Sequence, residues 1–299
     1  MSIDSGLLII NKEKGFTSFD VVAKLRGILH IKKIGHTGTL DPDAEGVLCV
    51  CIGKATKLVE ELMDHDKEYE TTLLLGTVTD TQDISGEVIR HIDQIDVSEN
   101  ELLGAITHFI GDTNQVPPMY SAKKVNGQRL YEAARNGQEV ARKPVRIHID
   151  DISVIGYDMP RADLRISCSK GTYIRTLCND IGECLGCGGC MERLLRTRVG
   201  EYKLSQAHRL SEIEAAARED EISSLIIPVE EVLSGLPAFL CNEAANKKLI
   251  NGNRLELSEL TPIDGAKPSE RIRVYTHEGT FAAIYRADGR NYKVDKFFL

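Results

Sequence analysis

The sequence predicts an α+β fold of two domains. Three observations carry this: strand-like and helix-like segments mix without a regular βαβ period, the 299 residues exceed one typical domain of about 150, and short alternating segments crowd the chain after residue 236. With 42% hydrophobic and 27% charged residues there is ample material for a packed core.

Residues 7–10 form a short apolar strand. Thr17 with Asp20 three positions on is a capping arrangement, and Phe19, Val22, Leu25, Ile28 and Leu29 follow at helical spacing. A second apolar strand covers 47–52, a helix 55–63, and a strand 68–75 that stops at Gly76. Ser98 and Glu101 cap a helix running to about 110. Strands near 145–157 and 164–167 precede a helix over about 172–185. Residues 211–231 read as an acidic helical stretch, with Glu212, Glu214, Glu219, Asp220, Glu221, Glu230 and Glu231 against Arg218. Ser234, Gly235, Leu236 and Pro237 then break it, a composition that marks a linker. Beyond it, segments at 271–275, 281–285 and 292–294 are separated by turn residues at Gly279 and Asp288-Gly289, which suits a small β-rich module.

The net charge of −8 argues against a nucleic-acid partner when taken as a sum, because phosphate binding draws on lysine and arginine. The distribution is uneven. Residues 119–146 carry Lys123, Lys124, Arg129, Arg135, Arg142, Lys143 and Arg146 against Glu132 and Glu139. Composition alone leaves a solvated charged face as good a reading as RNA binding. No apolar run reaches the roughly 20 residues of a membrane span, and the opening MSIDSGLLIINKEKG lacks the basic region, apolar stretch and cleavage site of a secretory signal. A cytoplasmic protein with reduced cysteines is the expectation. Cys184, Cys187 and Cys190 have metal-like spacing but no matching second pair, so packing around a glycine turn is favoured over a metal site.

The sharpest chemical signal is GHTGTLDPDAEG, residues 35–46. Glycines, a proline and hydrogen-bonding residues crowd around Asp41 just before an apolar strand, as in a tight loop that holds one carboxylate on a rigid scaffold. On spacing alone the bland reading, that Asp41-Pro42 initiates a turn, is the favoured one.

GHTGTLDPDAEGVL resembles the catalytic motif of the TruB family of pseudouridine synthases, in which the aspartate before the proline is essential. The resemblance continues, in the family's order, through DKEYE (66–70), TDTQDISG (79–86), VPPMYSAKKVNGQRLYEAARNG (116–137), CSKGTYIRTL (168–177) and LGCGG (185–189). The last sixty residues more loosely resemble a PUA domain, chiefly through LINGNRL (249–255).

The resemblance implies a pseudouridine synthase catalytic domain over 1–235, a mixed, mostly antiparallel sheet flanked by helices, with an RNA-binding insertion at about 112–146. A small PUA-like RNA-binding β-barrel would follow over 236–299. It implies isomerisation of uridine 55 in the T arm of tRNA, with base flipping. By the same resemblance Asp41 is nucleophile or base, Tyr69 stacks on the target base, Arg175 pairs with Asp41, and His36 fills space in the RNA loop beside the flipped nucleotide. Asp83, Tyr173 and Leu194 complete the pocket, while Lys123, Lys124 and Arg129 of the insertion contact RNA. Nothing is oxidised or hydrolysed, so no cofactor and no metal are implied; an ionised Asp41 in a dry pocket would need Arg175 to offset its desolvation. The family favours removal of the 2′ proton to a glycal over direct attack. A monomer acting without guide RNA or membrane is implied; a guide-RNA-dependent subunit and an RNA-binding or tRNA-folding protein without catalysis are the alternatives.

Overall fold

The computed structural model describes residues 5–121, 123–125, 127–138 and 140–299; Ala122, Asn126 and Glu139 of the basic segment lie outside them. The chain opens with β1 (Gly6–Lys12), α1 (Ser18–Leu29), β2 (Ile34–His36) and β3 (Glu45–Ile52). β1 and β3 pair antiparallel, Leu7 opposite Cys51 and Ile10 opposite Leu48. Both are covered on both faces, so strand alternation sorts their side chains into two cores. Leu7, Ile9, Val47, Cys49 and Cys51 enter one, and Leu8, Ile10, Leu48, Val50 and Ile52 the other. α1 closes the second core with Val21, Val22 and Leu25. Its start is the expected capping box, Thr17 Oγ1 accepting from the Asp20 N–H at 3.0 Å and the Asp20 carboxylate from the Thr17 N–H at 2.8 Å. Phe19 departs from the expectation. Val21 and Val22 occupy the inward stripe, which turns Phe19 outward to 68% exposure.

The helix expected over 55–63 is two pieces, a 3₁₀ helix Gly53–Leu58 and α2 (Val59–Met63). The Thr56 hydroxyl donates to the Gly53 carbonyl at 2.7 Å, a local bond that competes with an α-helical ladder. β4 (Lys67–Leu75) follows, with Lys67, Tyr69, Thr71, Leu73 and Leu75 facing inward. β5 (Thr77–Thr79) and β6 (Val88–His91) make a separate hairpin. α3 (Glu99–Thr107) carries the Ser98/Glu101 box and stops short of 110, its last turn closed by the His108 ring against the Gly104 carbonyl at 3.0 Å. β7 (Gly111–Gln115) is an edge strand; β8 (Lys124–Val125) and β9 (Gln128–Arg129) then pair only with each other, before α4 (Leu130–Arg135).

β10 (Val145–Asp158), β11 (Arg161–Cys168), α5 (Ile174–Cys184) and β12 (Gly189–Val199) complete the centre, and β13 (Tyr202–Lys203) pairs back onto β12. The acidic stretch is not one helix. α6 (Leu210–Arg218) ends before Asp220, whose φ of 59° is left-handed, and β14 (Ile227–Pro228) and α7 (Val229–Val232) follow. The main sheet runs β14-β1-β3-β12-β4-β11-β10-β7, with β2 on β3. Every pair is antiparallel except β12 with β3, where Arg196 lies opposite Gly46.

β15 (Ala238–Cys241), α8 (Glu243–Ile250), β16 (Leu255–Glu256), β17 (Leu260–Pro262), β18 (Arg271–Tyr275), β19 (Phe281–Asp288) and β20 (Asn291–Phe297) form the second body, a barrel-like sheet of order β16-β20-β19-β18-β15-β17. The segment before it, read as a linker, is tethered. The Arg273 guanidinium donates to the carbonyls of Leu236 at 2.9 Å, Glu230 at 3.0 Å and Ser234 at 3.3 Å. Ile284 and Phe298 of the barrel-like body also enter the core that holds Leu7 and Val47, so the two bodies share apolar packing.

Candidate active site

The loop between β2 and β3 carries Asp41, and its neighbours are held one by one. Lys12, fully buried at the end of β1, spends all three N–H groups on carbonyls: Phe16 at 2.7 Å, Glu13 at 3.1 Å and Pro42 at 3.1 Å. Ser18, at the start of α1, grips Leu40 in both directions; its hydroxyl accepts from the Leu40 N–H at 2.9 Å and donates to the Leu40 carbonyl at 3.3 Å. Arg196 on β12, 2% exposed, donates to the carbonyls of Val47 at 2.7 Å, Gly38 at 3.2 Å and Thr39 at 3.5 Å. Gly46 makes the close passage of β3 and β12 possible: its φ is 105°, and a Cβ there would lie 2.2 Å from the Arg196 carbonyl oxygen. Desolvating a cation costs several kcal/mol, and among the described residues no carboxylate pairs with Arg196 or Lys12. Both are spent on fixing the loop.

Asp41 meets Arg175 from the first turn of α5. Arg175 Nη2 lies 3.2 Å from Asp41 Oδ2 and donates to the Tyr120 carbonyl at 2.8 Å, while Nη1 donates to Asp83 Oδ2 at 3.2 Å. One planar guanidinium thus bridges two carboxylates, the geometry for which arginine is suited and lysine is not. Asp83 is itself positioned: its other oxygen accepts from Thr81 Oγ1 at 2.9 Å and from the Ser85 N–H at 3.1 Å. Thr176, beside Arg175, donates to the Gln82 side-chain carbonyl at 2.7 Å.

The expected dry carboxylate is corrected here. In the free protein Arg175 is the desolvated partner, its side chain 9% exposed, whereas the Asp41 side chain is 42% exposed at the cavity mouth and that of Asp83 15%. Asp83 is also more than a pocket filler, since it is the second carboxylate on the same arginine.

A cavity of about 570 Å³ opens beside Asp41. Tyr69, Tyr173, Arg175 and Leu194 line it, with Lys67 and Arg196. Tyr69 comes from the inward face of β4, two residues from Lys67, and burial pushes its phenol above the usual range, so it stays neutral. Tyr173 caps α5 and exchanges hydrogen bonds with Gln115, its N–H donating at 2.8 Å and its carbonyl accepting at 3.0 Å. Burial, helped by Arg196, brings the Lys67 ammonium down to about 8. Its Nζ donates to the Met63 carbonyl at 2.7 Å and to the His65 carbonyl.

The charged residues lining the cavity are Lys67, Arg146, Lys170, Arg175 and Arg196 against Asp41 and Asp64. Arg146 pairs with Asp112 at 2.8 Å, Lys170 with Asp64 at 2.5 Å and Arg175 with Asp83 at 3.2 Å, so the cations outnumber the acids only among the side chains that face the cavity itself.

His36 is not among the lining residues; it lies on β2, half-buried, with its ring edge-to-face on Phe19 at 5.7 Å. Burial and Arg196 lower its pKa, and Nδ1 accepts from the Gly38 N–H at 3.4 Å, which makes it a neutral imidazole with its proton on Nε2. Lys123 is exposed, and the backbone sets Lys124 opposite Arg129 in the β8–β9 hairpin; the side chains of those two lie outside what is described. Cys184 is exposed while Cys187 and Cys190 are buried, and among the described residues no group of three or more His, Cys, Asp or Glu is arranged for a metal.

Sequence reading missed Lys12, Lys67 and Arg196. The signal available was strand alternation: Arg196 follows Leu194 by two on β12, and Lys67 precedes Tyr69 by two on β4, so each shares a face with an expected pocket residue.

A family model described as the TruB family pseudouridylate synthase N-terminal domain matches residues 26–174, and one described as the tRNA pseudouridylate synthase B C-terminal domain matches 175–234. The tRNA pseudouridine synthase B of Lachnoclostridium phytofermentans is 46% identical, covering 99% of this chain and 100% of that protein; that of Clostridium novyi is 41% identical at the same coverage. Among solved structures, a Cbf5-Nop10-Gar1 complex contains a chain that superposes with a TM-score of 0.74 at 27% identity, over 99% of this chain and 86% of that one. An H/ACA ribonucleoprotein bound to a substrate RNA containing 2′-deoxyuridine gives the same TM-score and coverage at 25% identity. On this breadth of agreement, from the Asp41 loop through the Arg175 helix to both sheets, the chain belongs to the TruB family of pseudouridylate synthases.

Proposed function

We propose that this protein isomerises uridine to pseudouridine at position 55 in the T-loop of tRNA, with Asp41 as the essential carboxylate. The observation that carries the reading is the Asp41–Arg175–Asp83 bridge at the mouth of a cation-lined cavity, in a chain whose relatives are named tRNA pseudouridine synthase B. The reaction breaks the bond from N1 to C1′, turns the uracil and forms the bond from C5 to C1′, the C5 hydrogen leaving as a proton and N1 taking one up. Atoms balance without an oxidant, a reductant or water.

Extruding the uridine costs a few kcal/mol, and stacking on Tyr69 returns roughly 1–3 kcal/mol. With the base seated, Asp41 loses its water, and the Arg175 guanidinium 3.2 Å away faces its charge while it acts as nucleophile or base. Asp83 holds the guanidinium plane from the far side, so its second nitrogen stays aimed at Asp41. Tyr173 and Leu194 close the walls, and His36 fills space in the RNA loop beside the flipped uridine.

The catalytic domain spans 1–235. Lys123, Lys124 and Arg129, in the insertion over about 112–146, clamp the T arm through phosphates, and the barrel-like body over 236–299 acts as a PUA-like RNA-binding domain. The protein works as a cytoplasmic monomer. The likeness to chains of H/ACA complexes favours a second reading, a guide-RNA-dependent subunit, but the identity there is 25–27% against 46% for the relative named tRNA pseudouridine synthase B.

The test is purified protein with an unmodified tRNA transcript and no guide RNA, followed by mapping of pseudouridine. Product at position 55 supports the reading. Product only with added guide RNA and partner proteins favours the second one, and tRNA binding without product favours a non-catalytic RNA-binding protein.

A further inference from the structure

Phe19 is the most exposed large hydrophobic residue among those described, at 68%. Its position is set by the catalytic loop. Ser18, the residue before it, is locked to Leu40, the residue before Asp41, by the two-way hydrogen bond at 2.9 and 3.3 Å. Bond lengths alone then keep the Cα atoms of Phe19 and Asp41 within about 15 Å. The Phe19 ring meets neutral His36 at right angles, 5.7 Å between centroids at 85°, and the residue still keeps 68% of its surface open to solvent. The helix beneath is rigid: Thr17 and Asp20 cap it, and Val21 and Val22 anchor it in the core.

We propose that Phe19 is a stacking platform for an unpaired base of the substrate RNA, taking a nucleotide adjacent to the flipped uridine. The proposal rests on the tRNA reading of the Asp41 cavity. An exposed aromatic face suits a base because every base offers a π-face and the contact needs no sequence match. The occupant is RNA because the ring lies within a few nucleotides' span of Asp41, each nucleotide covering ~3.4 Å or more. It also stands beside a cavity lined by five cations and two acids. An extruded uridine leaves its neighbours without a stacking partner, and Phe19 with His36 supplies one.

The experiment compares wild type with Phe19→Ala, Phe19→Leu and Phe19→Tyr. The probe is a tRNA transcript carrying 2-aminopurine at each T-loop position other than the target, one at a time. Phe19→Ala and Phe19→Leu are expected to weaken RNA binding about tenfold, one stacked base at the low end of its range, while Phe19→Tyr stays within about twofold. One aminopurine position should be quenched by wild type and Phe19→Tyr and bright with Phe19→Ala. Thermal unfolding midpoints should not move, since the ring is exposed. If wild type binds and forms pseudouridine, yet Phe19→Leu binds equally well or no aminopurine position responds to Phe19→Ala, the platform is overturned and the tRNA reading stands. If wild type neither binds nor modifies the transcript, both fall.

Discussion

At the residue scale the central feature is economy of charge around Asp41. Three cations converge behind it, and each does something different. Lys12 is saturated by main-chain carbonyls and Arg196 donates to three of them, so both shape the loop, whereas Arg175 alone reaches the carboxylate. This separation makes a sharp prediction for Arg175→Lys. A lysine keeps the positive charge but cannot reach Asp41, Asp83 and the Tyr120 carbonyl together from one plane. The single-turnover rate at saturating tRNA should fall by about 10² or more while tRNA affinity stays within a few-fold, because misplacement costs the chemical step and not the encounter. Equal losses in rate and affinity would mean that Arg175 serves binding and not the reactive carboxylate.

Elements differ in how much of them the sequence discloses. Strands such as β1 and β3, apolar on both faces, and caps such as Thr17/Asp20 and Ser98/Glu101 are local signals and stand where pattern reading puts them. Phe19 does not, since helical spacing shows that a stripe exists but not which of two neighbouring stripes meets the sheet. The candidate site was legible through the order of its motifs, which brought out Asp41, Tyr69 and Arg175. Lys12 and Arg196 were not, because their partners are main-chain carbonyls 30 and 149 positions away, and a carbonyl has no signature in sequence.

The basic hairpin β8–β9 belongs at this scale too. Neutralising Lys123, Lys124 and Arg129 together should weaken tRNA binding and lower the slope of log affinity against log salt by about 0.7–0.9 for each phosphate that is no longer neutralised. The single-turnover rate at saturation should change far less. An unchanged slope would make the segment a solvated charged face.

For the whole molecule, the two bodies are joined by shared core residues and by an ionic latch. Glu61, at the middle of α2, faces Arg271 of β18 at 3.0 Å through both oxygens and also meets Lys296 of β20. Burial alone would raise the Glu61 carboxyl, but the hydrogen bonds from Arg271 and Lys296 outweigh it and hold the carboxyl below its usual range of about 4.5. A depressed carboxylate contributes stability that is present above the unfolded pKa and is lost as pH falls through the folded one. Glu61→Gln should therefore cost about 1–2 kcal/mol at neutral pH, for a partly exposed charge-assisted pair. The gap to wild type should close below pH 4.5. A gap that persists in acid would assign the loss to packing and not to the ion pairs.

On the proposed function, Asp41 performs the bond exchange on a uridine of tRNA. Joining C5 to C1′ expels the hydrogen at C5, so a transcript labelled with tritium at uridine C5 releases tritium to water only if that bond forms. Wild type in excess over such a transcript should release one equivalent per tRNA, mapped to position 55. Asp41→Asn should bind the same transcript with unchanged affinity and release none, because the amide matches the carboxylate in shape but cannot act as nucleophile or base. Tritium release by Asp41→Asn at a rate near that of wild type would contradict the account.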